Sequence, residues 1–189
     1  VMTLDLHSDQ IQGFFSVPAD ALSARSLFAE YFRRKKLKDP VVVAPDVGGA
    51  KRAKKFADLL DADLAILHKT RPAHQQVEIQ EVVGDIQGRT CIIFDDMIDT
   101  GGTPVSAKKA LLEHGAAAEI YVAATHAVFS GPALERLREA AFTEVVVTDS
   151  IPLDPKSFPG LHILPIAPLL AWVIRHVESG ESVTAIYQR

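Results

Sequence analysis

The chain has 189 residues, of which 48% are hydrophobic and 23% charged, and its formal net charge is −4. This length and composition suit one globular α/β core with little appended material. The negative net charge argues against a general nucleic-acid binder, and no apolar run approaches the length of a membrane span, so neither nucleic acid nor membrane is expected as a partner.

The only cysteine, Cys91, falls inside a predicted buried strand. A single cysteine excludes an intramolecular disulfide, and its expected burial argues against a catalytic thiol. The first residues contain neither a basic leader nor a signal-peptide core. A cytoplasmic location is therefore the default expectation.

Strand and helix patterns alternate along the chain. Apolar residues at helical spacing predict one amphipathic helix over residues 20–37, ended by Pro40. Strands are predicted at residues 41–44, 64–67, 77–83, 90–94, 120–124, 144–148 and 162–164. The other helices are predicted at residues 51–60, 103–114, 132–141 and 167–178. This alternation predicts an α/β fold, a parallel twisted sheet with helices on both faces.

The most informative segment, residues 91–103, joins a strand to a helix. Asp95 and Asp96 are expected at the carboxyl end of the strand, where ligands bind in open α/β sheets. Small and hydroxyl-bearing residues follow: Asp99, Thr100, Gly101, Gly102 and Thr103. The glycines permit a tight turn with inward amides and Thr103 can cap the helix, which predicts a phosphate site, while the carboxylates can bond ribose hydroxyls or hydrated magnesium. The aspartate pair alone is more typical of an ordinary β-to-α connection.

Two further turns carry groups that can bind a metal or a diphosphate. His7 can offer a ring nitrogen to a metal or phosphate oxygen, although a lone loop histidine is commonly just solvated. The turn after the 41–44 strand has a glycine pair that permits close approach of a diphosphate to backbone amides, and it consists of Asp46, Val47, Gly48 and Gly49. Asp46 can face that ligand or cap the next helix.

Basic residues follow the 64–67 strand. Lys69 and Arg71 are separated by one residue in an extended segment, so they point the same way and can clamp a transferring phosphoryl group. The polar loop at residues 70–76 is typical of a lid over phosphates, and equally of an exposed loop. The basic residues of the 51–60 helix can attract anions or an allosteric phosphate, but a solvated face explains them as well: Lys51, Arg52, Lys54 and Lys55.

These segments together carry a family resemblance. Residues 91–103 resemble the phosphoribosyl-diphosphate-binding motif shared by type I phosphoribosyltransferases and ribose-phosphate diphosphokinases (PRPP synthetases), and Met97-Ile98-Asp99 favours the synthetases. Asp-Leu-His at residues 5–7, followed by Gln-Ile-Gln-Gly-Phe-Phe at residues 10–15, resembles the synthetase signature. The order of the segments resembles the carboxyl-terminal half of a PRPP synthetase. It implies that residues 1–18 are the tail of a missing N-terminal domain, including a metal-binding loop, and that residues 19–189 form a type I phosphoribosyltransferase-like domain.

The resemblance implies transfer of the diphosphate of ATP to C1 of ribose 5-phosphate, giving PRPP and AMP. It implies Lys69 and Arg71 as catalytic residues, with Arg71 also binding the sugar phosphate, and His7 and Asp46 as ligands of Mg²⁺. Residues 46–49 become the diphosphate loop, and Asp95, Asp96 and residues 99–103 bind ribose 5-phosphate. ATP is the implied co-substrate, phosphate or ADP are possible effectors, and the family's homo-oligomer is a hexamer of dimers.

The sequence leaves two other functions open. A phosphoribosyltransferase would use nearly the same loop to consume PRPP, although no base-binding hood is evident and the His7 context argues against it. A non-catalytic regulatory subunit associated with PRPP synthetase would keep the fold, although its expected marks, a changed Lys69 or an interrupted 99–103 loop, are absent. In either synthetase role, this chain alone is expected to be weak or inactive without the N-terminal domain.

Overall fold

The computed structural model describes residues 1–70 and 79–183, and the side chains of residues 69, 70, 79 and 80 lie outside the description. Nine strands are described: β1 (Met2–Leu4), β2 (Asp20–Leu22), β3 (Val41–Ala44), β4 (Asp63–Thr70), β5 (Ile79–Val83), β6 (Cys91–Ile98), β7 (Ile120–Ala127), β8 (Glu144–Thr148) and β9 (Leu161–Leu164). The helices are α1 (Arg25–Lys35), α2 (Ala50–Leu60), α3 (Gly102–Glu113), α4 (Ala133–Ala140) and α5 (Ala167–Glu178), with a 3-10 helix at Asp9–Phe14.

Seven strands form one sheet in the order β5-β4-β3-β6-β7-β8-β9, and all neighbours are parallel except β4 and β5. Strands β1 and β2 pair in parallel as a separate two-stranded sheet. The central strands are buried on both faces, which explains why their sequences are continuous apolar runs rather than alternating ones. No helix in the described part of the chain is long and apolar enough to cross a bilayer.

Alternate residues of the strands pack on opposite helical layers. Ile93 belongs to the apolar cluster that includes Leu111 of α3 and Leu137 of α4. Its neighbour Phe94 belongs to the other cluster, with Phe28 of α1 and Phe56 of α2 on the opposite face. The predicted α/β fold with helices on both faces is therefore confirmed.

The helix predicted over residues 20–37 was wrong in its first part. Asp20–Leu22 is strand β2, and α1 begins only at Arg25. Leu22 fits the helical spacing of the apolar residues, but it packs in a third cluster with Leu169 and Val173 of α5. Backbone hydrogen bonds to the start of the chain, including Asp5 N to Leu22 O at 2.9 Å, hold this segment extended.

The predicted parallel sheet has one antiparallel strand at its edge. Strand β5 runs antiparallel to β4, with Ile66 opposite Val83. A parallel pair needs a crossover connection of about a dozen residues or more, and the interval between Thr70 and Ile79 is shorter than that. The end of α5 follows the prediction, since Gly180 adopts φ 70° and Glu181 N donates to His176 O at 2.8 Å.

Candidate functional site

The carboxyl ends of β3 and β6 open onto a cavity of about 470 Å³. Beyond Ile93, the side of β6 that faces β3 has no neighbouring strand among the described residues, because β3 ends at Ala44 while β6 continues to Ile98. Most of the predicted site residues line this cavity: His7, Asp46, Gly48, Gly49, Asp95, Asp96, Asp99, Thr100, Gly101, Gly102 and Thr103. Val47 was predicted with them but is not among the lining residues, and it is 59% exposed.

The floor of the cavity contains a compact group of charges. Arg52 of α2 donates from Nη1 to Asp95 Oδ1 at 2.8 Å and from Nη2 to Asp96 Oδ2 at 2.9 Å. His7 Nδ1 lies 2.8 Å from the same Asp96 oxygen. The Asp96 side chain is 2% exposed whereas that of His7 is 74% exposed. One buried carboxylate thus connects the start of the chain, α2 and β6.

The two aspartates differ in their expected charge. Burial raises the pKa of Asp95, and the neighbouring Asp96 carboxylate adds to this, so that Arg52 and the Asp96 amide only partly compensate. Burial also opposes ionisation of Asp96, but the Arg52 cation and the hydrogen bond with His7 outweigh it and lower the pKa of Asp96. Asp96 is therefore the more firmly ionised member of the pair.

The predicted phosphate loop has a tight backbone turn. Gly101 adopts φ 76° at the N-cap of α3, a conformation that favours glycine. The expectation that Thr103 caps this helix was wrong, because the helix begins at Gly102, its N-cap residue is Gly101, and no side chain of the described residues caps it. Since the first amides of a helix have no intrahelical partner, they remain available to a ligand.

The segment that follows the neighbouring strand β7 holds this loop. Ser130, which follows β7, donates from its amide to Asp99 O at 3.0 Å and from its hydroxyl to Asp99 Oδ1. Arg136 of α4 donates from Nη1 to Thr100 O at 3.1 Å. Neither residue is evident from the sequence, because nothing in the local pattern of residues 130–141 links them to a loop some 30 positions earlier.

The Asp46 turn lies between the cavity and the start of α2, whose N-cap residue is Gly49. Asp46 Oδ1 accepts a hydrogen bond from Gly49 N at 2.8 Å, so it stabilises the entry to α2, and the same residue lines the cavity. A Cβ on Gly48 would lie 3.2 Å from Asp46 Oδ1, so a larger residue there would press on this carboxylate.

The basic residues of α2 separate into different environments. Arg52 reaches the partly buried Asp95 and the buried Asp96, while Lys54 pairs with Asp58 at the surface. In the sequence, Arg52 is one member of an undivided basic face. Its being an arginine among lysines was the available signal, since a planar guanidinium suits two neighbouring carboxylates better than an ammonium does.

The structure describes only the backbone of the first predicted catalytic residue, Lys69, and does not describe the second, Arg71. The backbone of Lys69 lies in β4 opposite Gln80, and its side chain is not described. Arg71 and most of the predicted lid lie outside the described residues. Cys91 is buried as predicted, and burial raises the pKa of its thiol to about 11, which makes it unsuited to nucleophilic chemistry.

Several known proteins are similar to this chain in sequence. Residues 73–188 match the family model of the phosphoribosyl synthetase-associated domain. The ribose-phosphate pyrophosphokinase of Caldanaerobacter subterraneus subsp. tengcongensis is 47% identical over 189 residues, covering 99% of this chain and 60% of the relative. The enzyme of that name from Shewanella oneidensis is 47% identical over 190 residues, with the same two coverages.

A solved structure is also similar to this chain. The crystal structure of phosphoribosylpyrophosphate synthetase from Mycobacterium smegmatis superimposes with a TM-score of 0.84 at 46% identity, covering 95% of this chain and 58% of that one. The chain thus spans about 60% of the length of the curated relatives it matches.

Proposed function

The chain belongs to the ribose-phosphate pyrophosphokinase family, and on this premise we propose that it provides the sugar-phosphate and diphosphate part of a site that transfers the diphosphate of ATP to C1 of ribose 5-phosphate, giving PRPP and AMP. The observation that carries the proposal is the meeting of three turns at one cavity. These are the loop at residues 99–103, the turn at Asp46 and the loop that bears His7.

The phosphate of ribose 5-phosphate is proposed to bind residues 99–103. The loop offers amide donors at the start of α3, where the helix dipole favours negative charge. The hydroxyls of Thr100 and Thr103 lie on residues that line the same cavity and can add donors. This assigns the doubly charged end of the substrate to a position with fixed donors.

The ribose hydroxyls are proposed to bind Asp95 and Asp96. Both line the cavity, and Arg52 holds one oxygen of each carboxylate in a fixed orientation. A carboxylate has two oxygens and several lone pairs, so each can accept a ribose hydroxyl while keeping its bond to Arg52. The sugar is then oriented before its C1 hydroxyl reacts, which lowers the entropic part of the barrier.

The diphosphate is proposed to lie over residues 46–49, near His7 and Asp46. These two residues fit magnesium only as part of a largely hydrated shell, because Mg²⁺ prefers oxygen ligands and usually binds through one or two carboxylates and substrate phosphates. The described residues contain no group of three or more metal-binding side chains. When bound, Mg²⁺ would neutralise charge on the phosphates of ATP.

Lys69 and Arg71 are proposed to stabilise the transferring group by fixed positive charge. Because the chain covers about 60% of its relatives, we propose that the rest of the ATP site lies in a preceding domain whose tail is residues 1–18. The resemblance also leads us to propose a homo-oligomer, phosphate or ADP as effectors, and a cytoplasmic location.

The decisive experiment separates binding from turnover. Calorimetry with the 189-residue chain should show saturable binding of ribose 5-phosphate and none of ribose, since the ester supplies the charge that the loop recognises. A crystal soaked with ribose 5-phosphate should place the ester at Thr100, Gly101 and Gly102. An ester bound elsewhere, or absence of binding, would overturn the proposal.

The reaction is tested by incubating the protein with ATP, Mg²⁺ and ribose 5-phosphate and measuring AMP. The chain alone is expected to form little AMP, and a longer form that adds the preceding domain is expected to form it readily. Incubation with PRPP and orotate, adenine or hypoxanthine tests the transferase alternative. The chain would be assigned to that alternative if it released diphosphate from PRPP in the presence of a base and formed no AMP from ATP and ribose 5-phosphate.

A further inference from the structure

The segment that follows β7 holds the backbone of the proposed phosphate loop through three consecutive carbonyl groups. Phe129 N donates to Ile98 O at 3.1 Å, and Ser130 N donates to Asp99 O at 3.0 Å. Arg136 Nη1 donates to Thr100 O at 3.1 Å. We name residues 129–136 the clamp segment.

The direction of these bonds fixes the direction of the amides. In a trans peptide, the carbonyl of one residue and the N–H of the next point to opposite sides. No cis peptide bond occurs in the described ranges, 1–70 and 79–183. Because the carbonyls of residues 98–100 all point to the clamp segment, the amides of Asp99, Thr100 and Gly101 point away from it.

These three amides have no partner within the described part of the chain. The side of β6 opposite β7 is open where β3 has ended, and Asp99, Thr100 and Gly101 line the cavity there. A row of amides with one orientation is an anion-binding concavity. The loop is thus arranged for an anion by contacts made on its outer side.

The clamp segment is itself fixed to the body of the protein. The Phe129 ring packs against Phe158 at 6.4 Å between centroids, and both rings belong to the apolar core on that face of the sheet. Ala133 and Leu137 of α4 are buried. Arg136 therefore acts from a helix with a packed inner face.

We propose that Arg136 is a positioning residue for sugar-phosphate binding, which acts by holding the Thr100 carbonyl so that the Gly101 amide faces the ester. The proposal rests on the proposed function, because it assigns the phosphate of ribose 5-phosphate to these amides. Ser130 supports the adjoining peptide through its amide and fixes the Asp99 carboxylate through its hydroxyl. Arg136 touches the loop and is not assigned to the reacting atoms.

A matched pair of variants separates positioning from charge. Arg138 lies on the same helix, is exposed, and donates from Nη2 to Ser157 O at 2.9 Å, away from the loop. Arg136→Gln and Arg138→Gln remove the same charge from neighbouring positions. Loss of a hydrogen bond from a charged donor should weaken ribose 5-phosphate binding about tenfold in Arg136→Gln, while Arg138→Gln should bind as the parent chain does.

Two readouts make the result specific. Calorimetry gives the affinity for ribose 5-phosphate and for inorganic phosphate. NMR gives the amide shifts of residues 99–101 before and during the titration. Arg136→Gln should change the amide shifts of Gly101 and Thr100 in the absence of ligand. Arg136→Lys should retain part of the affinity, since the lysine ammonium group can still donate one hydrogen bond to the Thr100 carbonyl. Urea unfolding tests whether both glutamine variants are folded.

Equal affinities of the two glutamine variants, or unchanged Gly101 shifts in Arg136→Gln, would overturn the positioning role. If the parent chain binds inorganic phosphate at residues 99–101 but no ribose 5-phosphate, the proposed function fails, and the positioning role is judged from the phosphate affinities of the same pair. If it binds neither, both proposals are wrong.

Discussion

Arg52 on α2 and Asp96 at the end of β6 are joined across the cavity floor, with Nη2 2.9 Å from Oδ2. Asp96 is nearly completely buried, and a second oxygen of the group, Asp95 Oδ1, lies 2.8 Å from Nη1. A bidentate guanidinium thus holds two carboxylates that would otherwise repel each other in a poorly solvated place. The stability of the fold and the geometry of the site depend on the same side chain.

Replacement of Arg52 by glutamine should therefore destabilise the protein and weaken sugar binding together. Leaving a buried carboxylate without its cation is expected to lower the free energy of unfolding by about 2 kcal/mol or more. Urea unfolding at neutral pH measures this, and Lys54→Gln is the control, because Lys54 lies on the same helix in an exposed pair with Asp58. Equal stability of the two variants would show that Arg52 is not needed to balance the aspartates.

The raised pKa of Asp95, about 7 against an ordinary 3.8, predicts a pH dependence of stability. Between these values the folded protein retains a proton that the unfolded chain has released, so the contribution of Asp95 is largest below about pH 4 and is lost as pH rises towards 7. Asp96 acts oppositely, because its pKa is lowered, and its contribution is lost as pH falls below its ordinary value.

Asp95→Asn isolates the first of these effects. The free energy of unfolding, measured by urea at several pH values from 4 to 8, should fall less steeply with pH in the variant than in the parent chain. Asp58→Asn serves as control, because Asp58 is exposed and its carboxylate pairs with the exposed Lys54. A variant with the same slope as the parent would contradict the raised pKa.

The parts of the site that could be predicted are those encoded locally. A buried apolar strand followed by acidic residues and glycines indicates a ligand-binding turn, and Asp46, Asp95 and Gly101 lie at the cavity as expected. The contacts that organise these turns join residues far apart in sequence. His7 meets Asp96 across 89 positions, which no local period reveals.

The differences between the predicted and the observed fold also come from contacts between residues far apart in sequence. Leu22 fits a helical period but packs on α5, so tertiary contact decided the backbone of β2. The direction of β5 depends on the length of its connection to β4, which periodicity does not report. Local pattern gave the identity of most elements, and long-range packing decided the exceptions.

Lys69→Ala should reduce the rate of AMP formation by about two to three orders of magnitude, because its charge is proposed to act on the transition state. Ribose 5-phosphate binding should change little in the same variant. Steady-state assays on a form of the protein with measurable turnover, together with calorimetry, provide the two numbers. Lys54→Ala is the charge-matched control, and normal turnover in Lys69→Ala would remove that lysine from the mechanism.

Comparing Gly101→Ala with Gly88→Ala should separate the effect of backbone strain on stability from the effect of the shape of the phosphate loop on binding. Gly101 has φ 76°, and a Cβ there would lie 3.4 Å from Ala133 of the clamp segment. Gly88 has φ 67°, and a Cβ there would meet nothing within 4 Å. Since both glycines have similar positive φ angles, both alanine variants should lose about 1 kcal/mol of unfolding free energy.

Only Gly101→Ala should weaken ribose 5-phosphate binding, because its methyl group separates the loop from α4 and disturbs the peptide that Arg136 holds. Urea unfolding and calorimetry on the two variants test both statements. If Gly88→Ala weakens binding as much as Gly101→Ala does, the loss comes from general destabilisation, and the close packing of the loop on the clamp segment has no part in recognising the ester.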